Sequence, residues 1–174
     1  MAGVTATIDI DTAPIGAVLD GLRAASANMY EPLQAIGALM VASTETRFET
    51  GKAPGGASLV ESLRAKLRGG QTLIETGRLR SSFTFEVLGQ VVRWGTNVIY
   101  AAIHQFGGTI VPKKAGGRLV FKAPDGHLVF AQKVTLPARP YVGVDDNDFT
   151  DMREVLVEFL GRMAGFNPQS GGGA

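Results

Sequence analysis

The chain has 174 residues, is 45% hydrophobic and 19% charged, and carries a formal charge of +1 with no cysteine. A chain of this length suits one domain whose core needs no covalent staples, and the missing cysteines exclude disulfides, thiolate nucleophiles and cysteine-ligated zinc together. Two histidines, His104 and His127, are too few for a histidine-rich metal site. The longest apolar run, 35–42, includes Gly37 and falls well short of the roughly 18 residues of a membrane span. No Lys or Arg precedes Arg23, and Asp9 and Asp11 lie in that stretch, which is unlike a secretory signal. The expectation is a soluble domain with no membrane association.

The near-zero charge conceals a division. Residues 1–46 sum to −4, residues 47–139 to +9 and residues 140–174 to −4. Such asymmetry bears on partners rather than on fold.

Residues 1–13 read as an N-terminal arm, in which Thr5, Thr7, Ile8 and Ile10 suit a short strand or an extended segment. From Pro14 the positions Ile15, Val18, Leu19 and Leu22 follow a helical rhythm. Pro32 restarts it, with Leu33, Ile36, Met40, Val41, Thr44 and Phe48 on one face of a second helix. After the loop Gly51–Gly56, Ser58 is placed to cap a third helix striped by Leu59, Leu63 and Leu67 and closed by Gly69-Gly70. Residues 81–88 alternate with the period of a strand, Gly89-Gln90 turns, and Val91–Trp94 returns. A helical segment is expected over 98–106. Residues 109–131 read as a hairpin whose strands 118–122 and 127–131 pair across Pro124-Asp125-Gly126. Pro137 and Pro140 keep 136–143 extended.

Asp148, Asp151 and Glu154 lead a last helix with Phe149, Met152, Val155, Leu156 and Phe159 on its apolar face. Residues 14–166 therefore form one α+β domain: N-terminal helices packed on a small antiparallel sheet, with a long β-hairpin and a C-terminal helix. Residues 167–174 read as a Gly/Ser-rich flexible tail.

Recognised catalytic patterns are missing: there is no P-loop, G-x-S-x-G elbow, H-E-x-x-H or dinucleotide fingerprint. His104 could serve a hydrolase as general base for Ser81, Ser82 or Thr96, but the spacing does not favour that triad over a histidine that caps a helix end. Asp145, Asp146, Asp148 and Asp151 lack the spacing, central Gly and terminal Glu of a calcium loop and suit a helix N-terminus.

Several turn-bearing stretches recur in a recognisable order. They are Arg47-Phe48, Pro54-Gly55-Gly56, Leu73 to Ser82 with Thr76-Gly77-Arg78-Leu79 at its centre, Gly95-Thr96-Asn97, and Tyr100 to Gly108 with His104-Gln105-Phe106-Gly107-Gly108. The last runs from Pro137-Ala138-Arg139-Pro140 to Gly143. Together, over about residues 33–162, the series resembles the virion morphogenesis family of tailed bacteriophages and Mu-like prophages. Leu59 departs from the aromatic residue usual after the Pro-Gly loop.

The resemblance implies a non-enzymatic structural protein without cofactor, made in the bacterial host cytoplasm and placed at the neck or tail top of the virion. It implies a tail-completion or head–tail connector component, a homo-oligomeric ring around the DNA channel (a hexamer being one candidate size), bordered by other connector and tail proteins. In the hairpin, Lys113, Lys114, Arg118 and Lys122 could meet DNA phosphates in the channel, guard a strand edge or pair with an acidic neighbour. The alternative is a non-sequence-specific DNA-binding accessory protein of phage or prophage origin.

Overall fold

Apolar residues at helical spacing generate the longest buried surface in the chain. A computed structural model describes residues 13–164; the expected N-terminal strand and C-terminal tail lie outside the described residues. Helix α1 spans Ala13–Ala27 and α2 spans Tyr30–Thr50. Pro32 falls in the first turn of α2, where its missing N–H costs no helical bond, and Ile36, Met40, Thr44 and Phe48 follow it into the interior. The fully buried Thr44 returns its hydroxyl to the Met40 carbonyl at 2.8 Å, so no polar group is stranded.

Among the described residues, six strands form three separate two-stranded antiparallel ladders. Strand β1 (Thr84–Leu88) pairs with β2 (Val91–Gly95) through a two-residue turn, with Leu88 opposite Val91. Helix α2 crosses this pair at Gly37, where a Cβ would stand 2.1 Å from the Phe85 ring. Strands β3 (Gly108–Ile110), β4 (Leu119–Lys122), β5 (Leu128–Ala131) and β6 (Val134–Leu136) build a two-stage arm, β4–β5 beyond β3–β6. The arm is longer than the sequence suggests, because β3 is closed by β6 rather than left unpaired.

Helix α5 (Asp146–Met163) packs against both α2 and α1. Of the two N-terminal helices, α2 thus lies on the sheet and α1 on α5. The central cluster joins Phe48, Leu79, Phe83, Ala101 and Tyr141. Its three aromatic rings meet in tilted and edge-on arrangements, Phe48–Tyr141 at 4.7 Å, Phe48–Phe83 at 5.9 Å and Phe83–Tyr141 at 6.0 Å.

Four expected boundaries or faces differ. Helix α3 spans only Leu63–Arg68 and is capped by Ser62, whose Oγ accepts from Ala65 N at 3.2 Å. Ser58 instead bridges back to Lys52 and Leu59 N bonds Gly51 O, which holds the chain extended; the face of α3 that turns inward carries Ala65, leaving Leu63 and Leu67 about 60% exposed. Residues 80–82 form a single 3-10 turn rather than strand, since the Ser81 and Ser82 hydroxyls bond back to Gly77 and Leu79 carbonyls. Helix α4 (Ala101–Phe106) begins three residues after Val98, because Thr96 Oγ1 accepts Val98 N and sets a turn there. Phe149 is 60% exposed, because the first turn of α5 directs Asp148 inward in its place.

Phe48→Ala should therefore lower the unfolding free energy by about 3–5 kcal/mol, whereas Phe149→Ala should change it by no more than about 0.5 kcal/mol. Urea denaturation of the two variants beside the parent chain measures both.

Candidate functional site

Two motif stretches far apart in sequence become a single unit. Gln105 on α4 uses its Oε1 to accept from the backbone N–H groups of Tyr141 and Val142 at 2.9 and 3.0 Å, and its Nε2 donates to the Val142 carbonyl at 2.9 Å. Arg139 N donates to His104 O at 2.8 Å and Tyr141 Oη to Ala101 O at 2.7 Å. The extended proline segment, having no strand neighbour here, thus has the N–H groups of Arg139, Tyr141 and Val142 and the Val142 carbonyl bonded by one short helix.

Gly107 makes the approach feasible. Its φ is +70°, and a Cβ there would lie 2.6 Å from Ala138 N and 2.9 Å from Leu136 O. Burial, with Tyr100 nearby, pushes the Tyr141 phenol up to about 12, so it remains a hydrogen-bond donor.

Beside this clamp lies a cavity of about 250 Å³. The turn Thr76-Gly77-Arg78-Leu79 forms one wall, Tyr100 and His104 another, and Arg139 lies against both. Arg139 is 5% exposed and donates through Nε to Val60 O at 2.5 Å. His104 Nδ1 is buried without a hydrogen-bond partner among the described residues. Burial first, and the Arg139 charge second, lower the His104 pKa below its ordinary 6.5. Arg64 and Glu75 complete the charged lining, and Arg64 donates to the Gln71 and Ile74 carbonyls at 2.5 and 2.8 Å. Those two bonds bracket Leu73, a non-glycine residue held at φ +67°.

The remaining expected residues divide. Gly95 ends β2, and Thr96 shares a 2.6 Å hydrogen bond with Ser82. Ser81 donates to Gly77, so neither serine nor Thr96 is bonded to His104. Phe106 is 77% exposed, Gly108 opens β3, and Pro137, Ala138 and Pro140 face solvent around the buried Arg139. Lys113, Lys114, Arg118 and Lys122 are all exposed on the arm, apart from the cavity.

A second polar centre was not evident from spacing. Arg47, on the buried face of α2, donates to Gly143 O at 2.6 Å, to Asp145 Oδ2 at 3.2 Å and to Asp148 Oδ2. Ser43 Oγ donates to the other Asp148 oxygen at 2.5 Å. Asp145 and Asp148 also cap α5 reciprocally, which agrees with reading the acidic run as a helix N-terminus. Backbone N–H bonds from Asp148 and Gly55 hold the Asp145 carboxyl below its usual 3.8, with the Arg47 charge assisting. The available signal was Arg47 itself, a cation at helical spacing within the stripe of Met40, Thr44 and Phe48.

Residues 10–161 match the phage virion morphogenesis family, and the chain belongs to that family. It therefore has a role in phage structure or assembly. It is also similar to the Mu-like prophage FluMu G protein 2 of Haemophilus influenzae, with 31% identity over 154 residues, covering 88% of this chain and 94% of that protein. No solved structure matches the chain. Among the described residues no helix is long and apolar enough to cross a membrane.

Asp148→Asn should destabilise the fold by about 3–5 kcal/mol, because it leaves the Arg47 guanidinium buried without its closest carboxylate; chemical denaturation reads this directly. Acidification should act in two stages. The unfolded chain protonates its histidine near 6.5 while folded His104 resists, so stability falls as pH drops below that value. Asp145 adds stability above 3.8 that disappears as pH falls through its lower folded value. Melting temperatures across pH 3–8 should show both stages, and His104→Gln should flatten the first alone.

Proposed function

We propose that this chain is a structural component of the virion, a tail-completion or head–tail connector protein that assembles as a homo-oligomeric ring around the DNA channel at the neck or tail top. Its neighbours in this reading are other connector and tail proteins, and its role is non-enzymatic. The family supports the general assignment, and one observation carries the finer one. The arm from β3 to β6 exposes Val120, Phe121, Leu128 and Phe130, each at least 40% accessible, on a two-stranded ladder. A lone two-stranded ladder is marginally stable in water, and apolar surface gathered on one projection marks a contact with another protein. An arm of this kind gains its order and its role from adjoining copies.

The motif residues fit this reading. Gln105, Gly107, Tyr141 and Arg139 fasten the root of the arm to the body, so the turn motifs set the direction in which it projects. Gly107→Val, which drives a side chain into the Ala138 backbone, should impair assembly more than Lys113→Ala, which removes one exposed charge. Complementation of a phage lacking the gene measures the difference as titre.

The same phage tests the assignment itself. Heads and tails that form but never join, together with the protein's presence in purified wild-type particles, are the expected result. A protein missing from mature particles overturns the connector reading.

A second reading, a DNA-binding accessory protein, draws on Lys113, Lys114, Arg118, Lys122 and Lys133, which are exposed and outside every ion pair among the described residues. It requires duplex binding that weakens steeply with salt, and absence of any mobility shift at low salt eliminates it.

A further inference from the structure

We infer that the cavity between the Thr76–Leu79 turn and α4 is a socket for a side-chain carboxylate of a second copy of this chain, supplied by the outer face of α5. The inference rests on the self-assembly proposed above and names the contact that joins the copies. Its basis is an imbalance of charge. Arg64, Arg78 and Arg139 line the cavity, and none has a carboxylate partner among the described residues. Glu75 lies in the same wall without pairing to any of them. Arg139 is a buried residue whose Nε alone is engaged among the described residues, its terminal nitrogens not being among the buried unpartnered atoms, while the neighbouring His104 Nδ1 is buried and unpartnered.

A recessed guanidinium with open terminal donors favours an anion, and carboxylate is the group whose geometry matches its paired donors. The backbone around the socket is strained at Leu73 and pinned by Arg64, so the lining is preformed.

The occupant follows from the rest of the surface. Asp151, Glu154 and Glu158 are exposed on α5, and none is ion-paired among the described residues. At i,i+4 spacing Glu154 and Glu158 share an exposed face of α5, whereas Asp151, three residues after the buried Asp148, lines the α2 side of the helix. Apolar surface accompanies both sides of the contact: Ile99 is 97% exposed beside Tyr100 at the cavity, and Val157 is 55% exposed on α5. Socket and helix are different surfaces of one chain, so their union is heterologous, and such contacts close into rings when the rotation permits. A phosphate of duplex DNA is the poorer fit, since it would have to bring a stiff backbone to a recessed Arg139 past Glu75.

Sedimentation velocity and mass photometry test this on the full chain. Arg78→Glu, at an exposed position, should weaken self-association by at least about tenfold while leaving the melting temperature unchanged. Combining it with Glu154→Lys and Glu158→Lys in the same chain should restore association. Arg78→Ala serves as the milder variant should Arg78→Glu lower the melting temperature, and it should weaken association in the same direction.

An Arg78 variant that assembles like the parent overturns the socket and leaves the ring reading standing. Weakening without restoration by the lysine helix overturns α5 as the source. Loss of duplex DNA binding with unchanged self-association assigns the socket to phosphate and overturns the carboxylate. A parent chain that stays monomeric to about 100 µM overturns the ring reading and this contact together.

Discussion

A single guanidinium withdrawn from water organises the body of this protein. Arg47 leaves the apolar face of α2 and meets the Gly143 carbonyl, Asp145 and Asp148 at the start of α5. The desolvation of such a cation is tolerable only when its donors are matched, and the match is provided by a capping box that the helix requires anyway. The two carboxylates thereby serve the helix terminus and the buried cation together. Because Gly143 and Asp145 end the extended proline segment, the same centre fixes where residues 137–142 lie, and with them Tyr141 in the aromatic core. The core, the last helix and the root of the arm are positioned through this one junction.

The local pattern of the chain revealed elements whose period is set by one buried face. Helix α2, helix α5 and the β1–β2 hairpin were legible because their side chains alternate between core and water with the period of their backbone. It was less informative where short polar side chains compete for the backbone. Ser81 and Ser82 alternate with apolar neighbours as a strand would, yet their hydroxyls favour a 3-10 turn. Leucines at positions 63 and 67 suggested a buried stripe, but a helix of six residues buries only the small face that fits, at Ala65.

The site divided in the same way. The glycine and proline motifs flagged the stretches that meet, but not the meeting itself. The partners Gln105 and Val142 are 37 positions apart, and Arg47 and Asp148 are 101 apart, separations that no local periodicity encodes. Arg64 was absent from the expected site altogether, because it enters the cavity from α3, which carries no motif, and Glu75 lay within the Leu73–Ser82 stretch without being singled out. Family membership supplied the phage context that residue chemistry alone left open.

The division of the strands into three independent ladders has a consequence for how the molecule breathes. The β1–β2 pair lies beneath α2 and shares the fate of the core, whereas β4–β5 rests on no helix by more than marginal contact. Opening free energies in a protein follow local packing, so amide hydrogens in 119–131 exchange through local fraying long before those of β1 and β2, which wait for global unfolding. A projection that loosens without disturbing its base has room to adjust its own shape. The Gln105 clamp at its root keeps that adjustment from reaching the core.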